Sequence, residues 1–295
     1  VNAVTRVIDE AFIRLLEGHD LCVGRLMNGL FGGTRRVRGF GQSAEFADYR
    51  PYAPGDELKR VDTNLYARFG VPIIRLFTDE RQLHHRILID TSASMAWGEP
   101  RKSLAALRLC AALGYLAVQA SDRVSVLTLS GTGCGEICRN VTGREAFLRA
   151  LTTLEGVRFR GDADLGAAML RCPGAGGTGG VDFLISDLLT DSDWRGAVDR
   201  LLDAGREVNI LRVLSPDEIT PSLRGRLRLI GPEGDEYRAD FGRAAVDAYR
   251  EAFDELTHDI QSFCAARGVG FCTVSSDIPI GRMIFEAGAR AGMTV

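Results

Sequence analysis

The sequence predicts an α/β protein, with a doubly wound, mostly parallel sheet that carries helices on both faces and follows a helical and loop-rich N-terminal region. From residue 71 onward, short runs rich in branched apolar residues alternate with patterns of helical period. Several runs are apolar throughout, as strands are when both faces of a sheet are covered. Hydrophobic residues make up 45% and charged residues 25% of the 295 residues, which excludes disorder, collagen and coiled coil.

The N-terminal part divides into two stretches of different character. Apolar residues at helical spacing predict a helix over residues 1–30, and Gly32-Gly33 ends it. Polar residues and turn signals such as Pro54-Gly55-Asp56 predict a loop-like stretch over 33–70. We therefore expect a helical and loop-rich region over residues 1–70 and the α/β domain over residues 71–295.

Strands and helices are expected in turn along the α/β domain. The expected strands are 71–77, 86–90, 123–129, 136–139, 181–185, 208–214 and 269–274. The expected helices are 101–120, 143–154, 164–171, a helix from Ser192 or Asp193 to Ala204, 243–267 and 279–290. The runs 226–230 and 236–241, separated by Gly-Pro-Glu-Gly, predict a hairpin insertion.

Composition also limits the classes of partner and the cellular location that we expect for this protein. The net charge of −3 argues against a chain-wide nucleic-acid surface, so we expect no nucleic acid partner. The apolar run 104–118 is short for a bilayer span and contains Arg108, so we expect a buried helix and no membrane span. We see no signal peptide, and seven cysteines without a CxxC pair predict free thiols in the cytoplasm.

Polar residues follow two of the buried strands and open a helix between them. Asp90, Ser92 and Ser94 come after one strand, Asp187 after another, and Gly161-Asp162-Ala163-Asp164 opens a helix. Ligands of open α/β sheets bind beyond the carboxyl ends of the strands, so these residues are expected at one edge. Oxygen-only ligands suit Mg²⁺ or Mn²⁺ rather than Zn²⁺. The candidate metal ligands are Asp90, Ser92, Ser94, Asp187, Asp162 and Asp164, with helix capping as the alternative role of the last two.

The pattern Asp90-x-Ser92-x-Ser94 resembles the metal-ion-dependent adhesion site (MIDAS) of von Willebrand factor type A domains. In that family the aspartate and both serines line the metal, a threonine from a second loop joins them, and an aspartate from a third loop completes the shell. Asp187 matches the third-loop aspartate. The second loop departs from the pattern, since Ala163 stands where the family often has threonine and cannot ligate a metal.

The segment before the sheet resembles the signature of the domain-of-unknown-function 58 (DUF58) family. The resemblance rests on Gly39-Phe40-Gly41, on the run Glu45 to Tyr52, on Pro54-Gly55-Asp56, on the run Lys59 to Asn64 and on Ala67-Arg68. The family commonly has tryptophan where this chain has Thr63. The resemblance implies a von Willebrand type A-like, non-enzymatic interaction module, an adaptor or chaperone-like partner of a MoxR-class AAA+ ATPase.

Alternative interpretations of the acidic cluster stay open. A Mg²⁺-dependent phosphate or ester hydrolase would use Asp90 and Asp187, although Ser92 stands where a haloacid-dehalogenase-like phosphatase has its second carboxylate. A scaffold whose site never holds a metal is the third interpretation. The run Gly174-x-Gly176-x-x-Gly179 matches a dinucleotide fingerprint, but a helix precedes it and a strand follows, so we interpret it as a flexible loop.

Overall fold

The computed structural model of the chain describes residues 45–53, 61–78, 82–176, 179–221, 225–230 and 236–283, and the single position Arg14. It divides into two compact units, one of residues 33–82 and one of residues 1–32 together with 83–295. Arg14 apart, the helix predicted over 1–30 lies outside the described residues, as does the part of the last predicted helix beyond residue 283.

In the described part of the unit of residues 33–82, a two-stranded antiparallel sheet accompanies one short helix. Strand β1 (Glu45–Pro51) pairs with β2 (Ile73–Thr78), and helix α1 (Thr63–Phe69) lies between them in the chain. Asp62 caps this helix by accepting from the amides of Asn64 and Leu65 at 2.9 and 3.1 Å. The prediction of a loop is therefore wrong over residues 45–51 and 63–69. Helix α1 buries none of its residues and so leaves no apolar period in the sequence.

The other unit is built around a six-stranded sheet. Its strands are β3 (His84–Asp90), β4 (Arg123–Ser130), β5 (Gly133–Val141), β6 (Val181–Ser186), β7 (Glu207–Leu214) and β10 (Gly270–Ser275). They lie in the order β10-β7-β6-β3-β4-β5, all parallel to their neighbours except β5, which is antiparallel to β4. Strands β8 (Gly225–Ile230) and β9 (Glu236–Phe241) form a separate antiparallel hairpin.

Helices cover both faces of this sheet, which confirms the predicted doubly wound fold class. They are α2 (Lys102–Gln119), α3 (Arg144–Leu151), α4 (Leu165–Arg171), α5 (Trp194–Asp203), α6 (Pro216–Ile219) and α7 (Arg243–Arg267). Side chains alternate across β3, so that Ile87 and Ile89 pack with α2 and α3 while Leu88 packs with α4, α5 and α7. In the described part of the chain, no helix is long and apolar enough to cross a membrane.

The strand order reverses at β3, and this reversal positions the candidate site. From β3 the chain moves outward through β4 and β5, then returns to lay β6 against the other side of β3. The register pairs Ile89 with Ile185, so Asp90 and Ser186 end neighbouring strands. The crevice that such a reversal opens is where ligands of this fold class bind.

One cysteine expectation is wrong. Cys134 of β5 and Cys172, which follows α4, form a disulfide with their Cα atoms 5.3 Å apart. The two residues are 38 positions apart in the chain, so local spacing carried no signal for the pair. The prediction of free thiols holds for the buried residues Cys110, Cys138, Cys264 and Cys272.

Candidate functional site

Asp90 lies at the centre of the carboxyl edge of the sheet and is buried. Its Oδ2 accepts a hydrogen bond from the Ser186 hydroxyl at 2.6 Å, and its Oδ1 accepts one from the Ser92 amide at 2.9 Å. Burial raises the pKa of the Asp90 carboxyl, the charge of Asp187 acts in the same direction, and the hydrogen bonds from Ser186 and Ser92 oppose both. The loss of hydration therefore outweighs the hydrogen bonds at this carboxyl.

The two candidate serines lie side by side next to Asp90. Ser92 precedes a 3₁₀ turn over Ala93–Ala96, and the hydroxyl oxygens of Ser92 and Ser94 are 3.0 Å apart. The turn is held by the buried side chain of Met95 and by the Ala93 amide, which donates to the Gly161 carbonyl at 2.7 Å. The loop after β3 therefore contacts the loop of residues 161–164, and the hydroxyls of Ser92 and Ser94 lie next to each other.

The carboxylates of the second loop, Gly161-Asp162-Ala163-Asp164, accept hydrogen bonds from their own loop and from the helix after it. Asp162 accepts from the Ala163 amide at 2.8 Å, and Asp164 caps α4 by accepting from the Ala167 amide at 2.9 Å. Both aspartates are exposed, and neither is hydrogen-bonded to Asp90 or Ser92. Ala163 itself is buried, and it forms a bridge with Gly131 that fixes the loop.

Asp187, the third-loop aspartate, forms an ion pair with a lysine that is not among the candidate site residues predicted from the sequence. The ammonium of Lys102, the first residue of α2, lies 2.7 Å from Asp187 Oδ2 and 2.6 Å from Glu218 Oε1. Asp187 Oδ1 accepts from the Leu189 amide at 3.0 Å. Because the side chain of Lys102 is fully buried, this cation neutralises the carboxylate of Asp187 from inside the protein.

Glu218 is held in place by the end of its own helix. Its Oε2 accepts from the Ser215 amide at 2.7 Å, as in the capping box at the start of α6, and also from the Ser215 hydroxyl at 3.0 Å. The Ser-x-x-Glu spacing is the signal that would have found Glu218 in the sequence. A single lysine just before the apolar run of α2 would have pointed to Lys102.

The loop after β6 is constrained further by Leu188 and Arg212. Leu188 has a φ of 55°, a left-handed conformation that costs a non-glycine residue about 1–2 kcal/mol. Its buried side chain and the bond from its amide to the Ser186 hydroxyl at 3.0 Å hold it there. Arg212 donates to the Asp187 carbonyl at 3.1 Å, and burial lowers the pKa of its guanidinium. The position of Asp187 is therefore fixed from several sides.

Exposed apolar side chains surround this polar centre. Trp97 follows the 3₁₀ turn, Leu189 lies two residues after Asp187, and the Tyr249 hydroxyl donates to the Glu218 carbonyl at 2.6 Å. Their exposed fractions are 47% for Trp97, 48% for Leu189 and 40% for Tyr249. In the described part of the six-stranded unit, these are the large apolar residues left exposed. Aromatic residues next to polar groups are typical of protein-binding surfaces.

The donor set at this edge suits a hard cation in part. Asp90, Ser92 and Ser94 offer carboxylate and hydroxyl oxygens, the ligands that Mg²⁺ and Mn²⁺ prefer. Asp187 differs from Asp90 because one of its oxygens is paired with the Lys102 ammonium, whose charge competes with a metal ion. Within the ranges that the structure describes, no group of three His, Cys, Asp or Glu residues is arranged to hold an ion. A metal here would depend on the serine hydroxyls.

The chain belongs to the family described as "Protein of unknown function DUF58", whose model matches residues 48–262. It is similar to uncharacterised proteins of Mycobacterium tuberculosis and Mycobacterium bovis, each 29% identical over 216 residues. These alignments cover 71% of this chain and 66% of each relative, so the chain spans slightly less than two thirds of their length.

Solved structures of low sequence identity resemble the chain as well. The crystal structure of the conserved hypothetical protein BatB from Bacteroides thetaiotaomicron is 16% identical with a TM-score of 0.42, covering 71% of this chain and 98% of its own. The von Willebrand factor type A domain of SpRpn10 is 12% identical with a TM-score of 0.42, covering 73% of this chain and all of its own.

Proposed function

We propose that this protein is a non-enzymatic interaction module that docks a partner protein at the carboxyl edge of its six-stranded sheet. The observation that supports the proposal best is the set of exposed side chains Trp97, Leu189 and Tyr249 around the polar centre of the site. Large amphipathic side chains of this kind contribute most of the binding energy of many interfaces.

A divalent cation, Mg²⁺ or Mn²⁺, is the proposed cofactor of this docking edge. Asp90, Ser92 and Ser94 would hold it, and with one carboxylate among its ligands it would keep positive charge to attract a carboxylate of the partner. Because Lys102 already neutralises Asp187, that aspartate contributes little negative charge to the site. The same pairing predicts weaker metal binding than a site with two unpaired aspartates.

The geometry gives less support to the alternative hydrolase. Both oxygens of Asp90 accept hydrogen bonds, which lowers its value as a nucleophile. The histidines of β3 lie at its amino end, where His84 bonds to Ser125 and His85 bonds to Asp122. Neither histidine is therefore a candidate general base for the carboxyl edge.

The proposed partner is a MoxR-class AAA+ ATPase, and the family resemblance is what supports this choice. A cytoplasmic location stays a prediction from the sequence. We would immobilise the full chain and measure its binding to a MoxR-class ATPase encoded in the same genome. Loss of an aromatic residue on which an interface depends costs about 2 kcal/mol, so Trp97→Ala is expected to weaken binding about thirtyfold.

Tyr66→Ala is the matched control for Trp97→Ala, because Tyr66 is an equally exposed aromatic residue in the unit of residues 33–82. Unchanged binding by the Trp97 variant, or equal weakening by both variants, would place the docking surface elsewhere.

The metal is tested separately, on the chain alone. Electron paramagnetic resonance of added Mn²⁺ follows the loss of the free-ion signal as the ion binds. The double variant Ser92→Ala/Ser94→Ala is expected to bind Mn²⁺ at least about tenfold more weakly, since it loses two of three proposed ligands. Ser262→Ala, in the exposed part of α7, is the control. Equal Mn²⁺ binding by all three proteins would rule out the proposed ligands.

A further inference from the structure

A second polar pocket lies at the opposite end of the sheet from Asp90. It has a volume of about 230 Å³ and opens where β3 and β4 begin and β5 ends. Its walls include His84, Arg123, Ser125, Arg139 and Asn140, with Pro173 beside them. None of these residues belongs to the docking edge.

Two of the wall residues are exposed arginines with little or no neutralisation. Among the described residues, no carboxylate pairs with the Arg123 guanidinium. Arg139 lies 4.0 Å from Glu136, but both side chains are about half exposed, so water screens the pair. The pocket therefore carries two cations at its mouth.

The wall behind them is positively charged as well. Asp182 is buried between two buried arginines, with Arg206 Nη2 2.6 Å from its Oδ1 and Arg86 Nε 2.7 Å from the same atom. Two guanidiniums on one carboxylate leave a net charge of about +1 in this cluster. Arg86 also donates to the Pro173 carbonyl at 3.1 Å, and Arg206 to the His84 carbonyl at 3.4 Å. The cluster thus contacts the pocket wall directly.

Neutral hydrogen-bonding groups complete the pocket. The backbone amide of Asn140 donates to the Ser125 hydroxyl at 2.9 Å, and that hydroxyl lies 2.9 Å from His84 Nε2. Burial, then Arg206 and Arg123, lower the pKa of His84 to about 4, so the ring stays neutral at neutral pH.

We propose that this pocket binds a small phosphate-bearing ligand through the guanidiniums of Arg123 and Arg139, with the His84 ring and the positive Arg86–Asp182–Arg206 cluster behind it. A phosphate dianion matches two cations better than a single carboxylate does, and guanidinium groups bind phosphate oxygens in pairs. The volume admits a phosphate with a small substituent.

Isothermal titration calorimetry of the full chain tests this assignment, with inorganic phosphate and succinate as the two probes. The wild-type chain is expected to bind phosphate saturably and more tightly than succinate. Each of Arg123→Met and Arg139→Met is expected to weaken phosphate binding about tenfold or more, the usual effect of losing a charge-assisted hydrogen bond. Both side chains are exposed, so both variants are expected to fold, which circular dichroism checks.

Arg250→Met is the matched control, because it removes an exposed arginine from α7 and leaves the pocket intact. Phosphate binding that survives in this control and fails in both pocket variants supports the assignment. Three results would each overturn it: no saturable binding by the wild type, equal weakening in the control, or succinate binding as tight as that of phosphate. The docking proposal is unaffected by any of them, since its variants lie at the other edge.

Discussion

The two ends of the six-stranded sheet bury ion clusters of opposite composition. At the carboxyl edge, one cation, Lys102, lies between Asp187 and Glu218. At the amino edge, one anion, Asp182, lies between Arg86 and Arg206. The two clusters lie beside different surfaces. The exposed side chains Trp97, Leu189 and Tyr249 lie near the first, and the pocket of Arg123 and Arg139 lies beside the second.

The largest loss of stability is expected when the charge of Asp182, between Arg86 and Arg206, is removed. Asp182→Asn leaves two buried guanidiniums without their carboxylate, and breaking a buried pair in this way costs about 3–5 kcal/mol. Urea denaturation measures the loss in the free energy of unfolding. Asp199→Asn is the control, because its pair with Arg267 is exposed and is worth at most about 1 kcal/mol. Equal losses in the two variants would contradict the assigned role of Asp182.

The corresponding change at the carboxyl edge is Lys102→Met. It leaves Asp187 and Glu218 without their shared cation and is expected to cost about 3 kcal/mol. The loss is smaller because the Glu218 side chain is 13% exposed and can take up water. Added Mg²⁺ should raise the melting temperature of this variant more than that of the wild type, because the ion replaces the ammonium. No difference in the Mg²⁺ response would show that a divalent ion cannot occupy this position.

The amino edge should become less stable in mild acid. The pKa of His84 is lowered from 6.5 to about 4, so the unfolded chain takes up its proton first as the pH falls. The free energy of unfolding should therefore rise between pH 4 and 6.5 by about 1 kcal/mol, a value reduced for the exposed part of the ring. His84→Gln should lack this rise in urea titrations. An NMR signal of the His84 ring that titrates near 6.5 would contradict the prediction.

The carboxyl edge should show the opposite pH slope, and this is the smallest effect. Since burial raises the pKa of Asp90, the folded chain holds this proton more tightly than the unfolded chain does. Its contribution to stability is present in acid and is lost as the pH rises through the raised pKa. Asp90→Asn should remove that loss, so its advantage in urea titrations should grow with pH above 3.8. If the stability of Asp90→Asn relative to the wild type fell as the pH rose, the predicted direction would be contradicted.

The main sheet could be predicted because its strands are short apolar runs and its helices are longer apolar or periodic stretches. The helix expected over 101–120 is α2, and the one expected over 243–267 is α7 with the same bounds. Helix α1 was missed because it buries no residue, and an unburied helix has no apolar stripe to detect.

The candidate site was predictable only in part. Asp90 ends a buried strand and Ser92 and Ser94 come directly after it, which the sequence shows directly. Lys102 and Glu218 lie 116 positions apart, so nothing local in the sequence links the ammonium to that carboxylate. The same holds for Asp182 and Arg86, whose pairing depends on the adjacency of β6 and β3.

Hydrogen–deuterium exchange with and without a MoxR-class ATPase tests the docking edge most directly. Slower exchange on binding is expected in peptides that cover residues 92–97 and 187–190, on either side of the Asp90 crevice. Protection confined to residues 45–78, with those two loops unchanged, would contradict it.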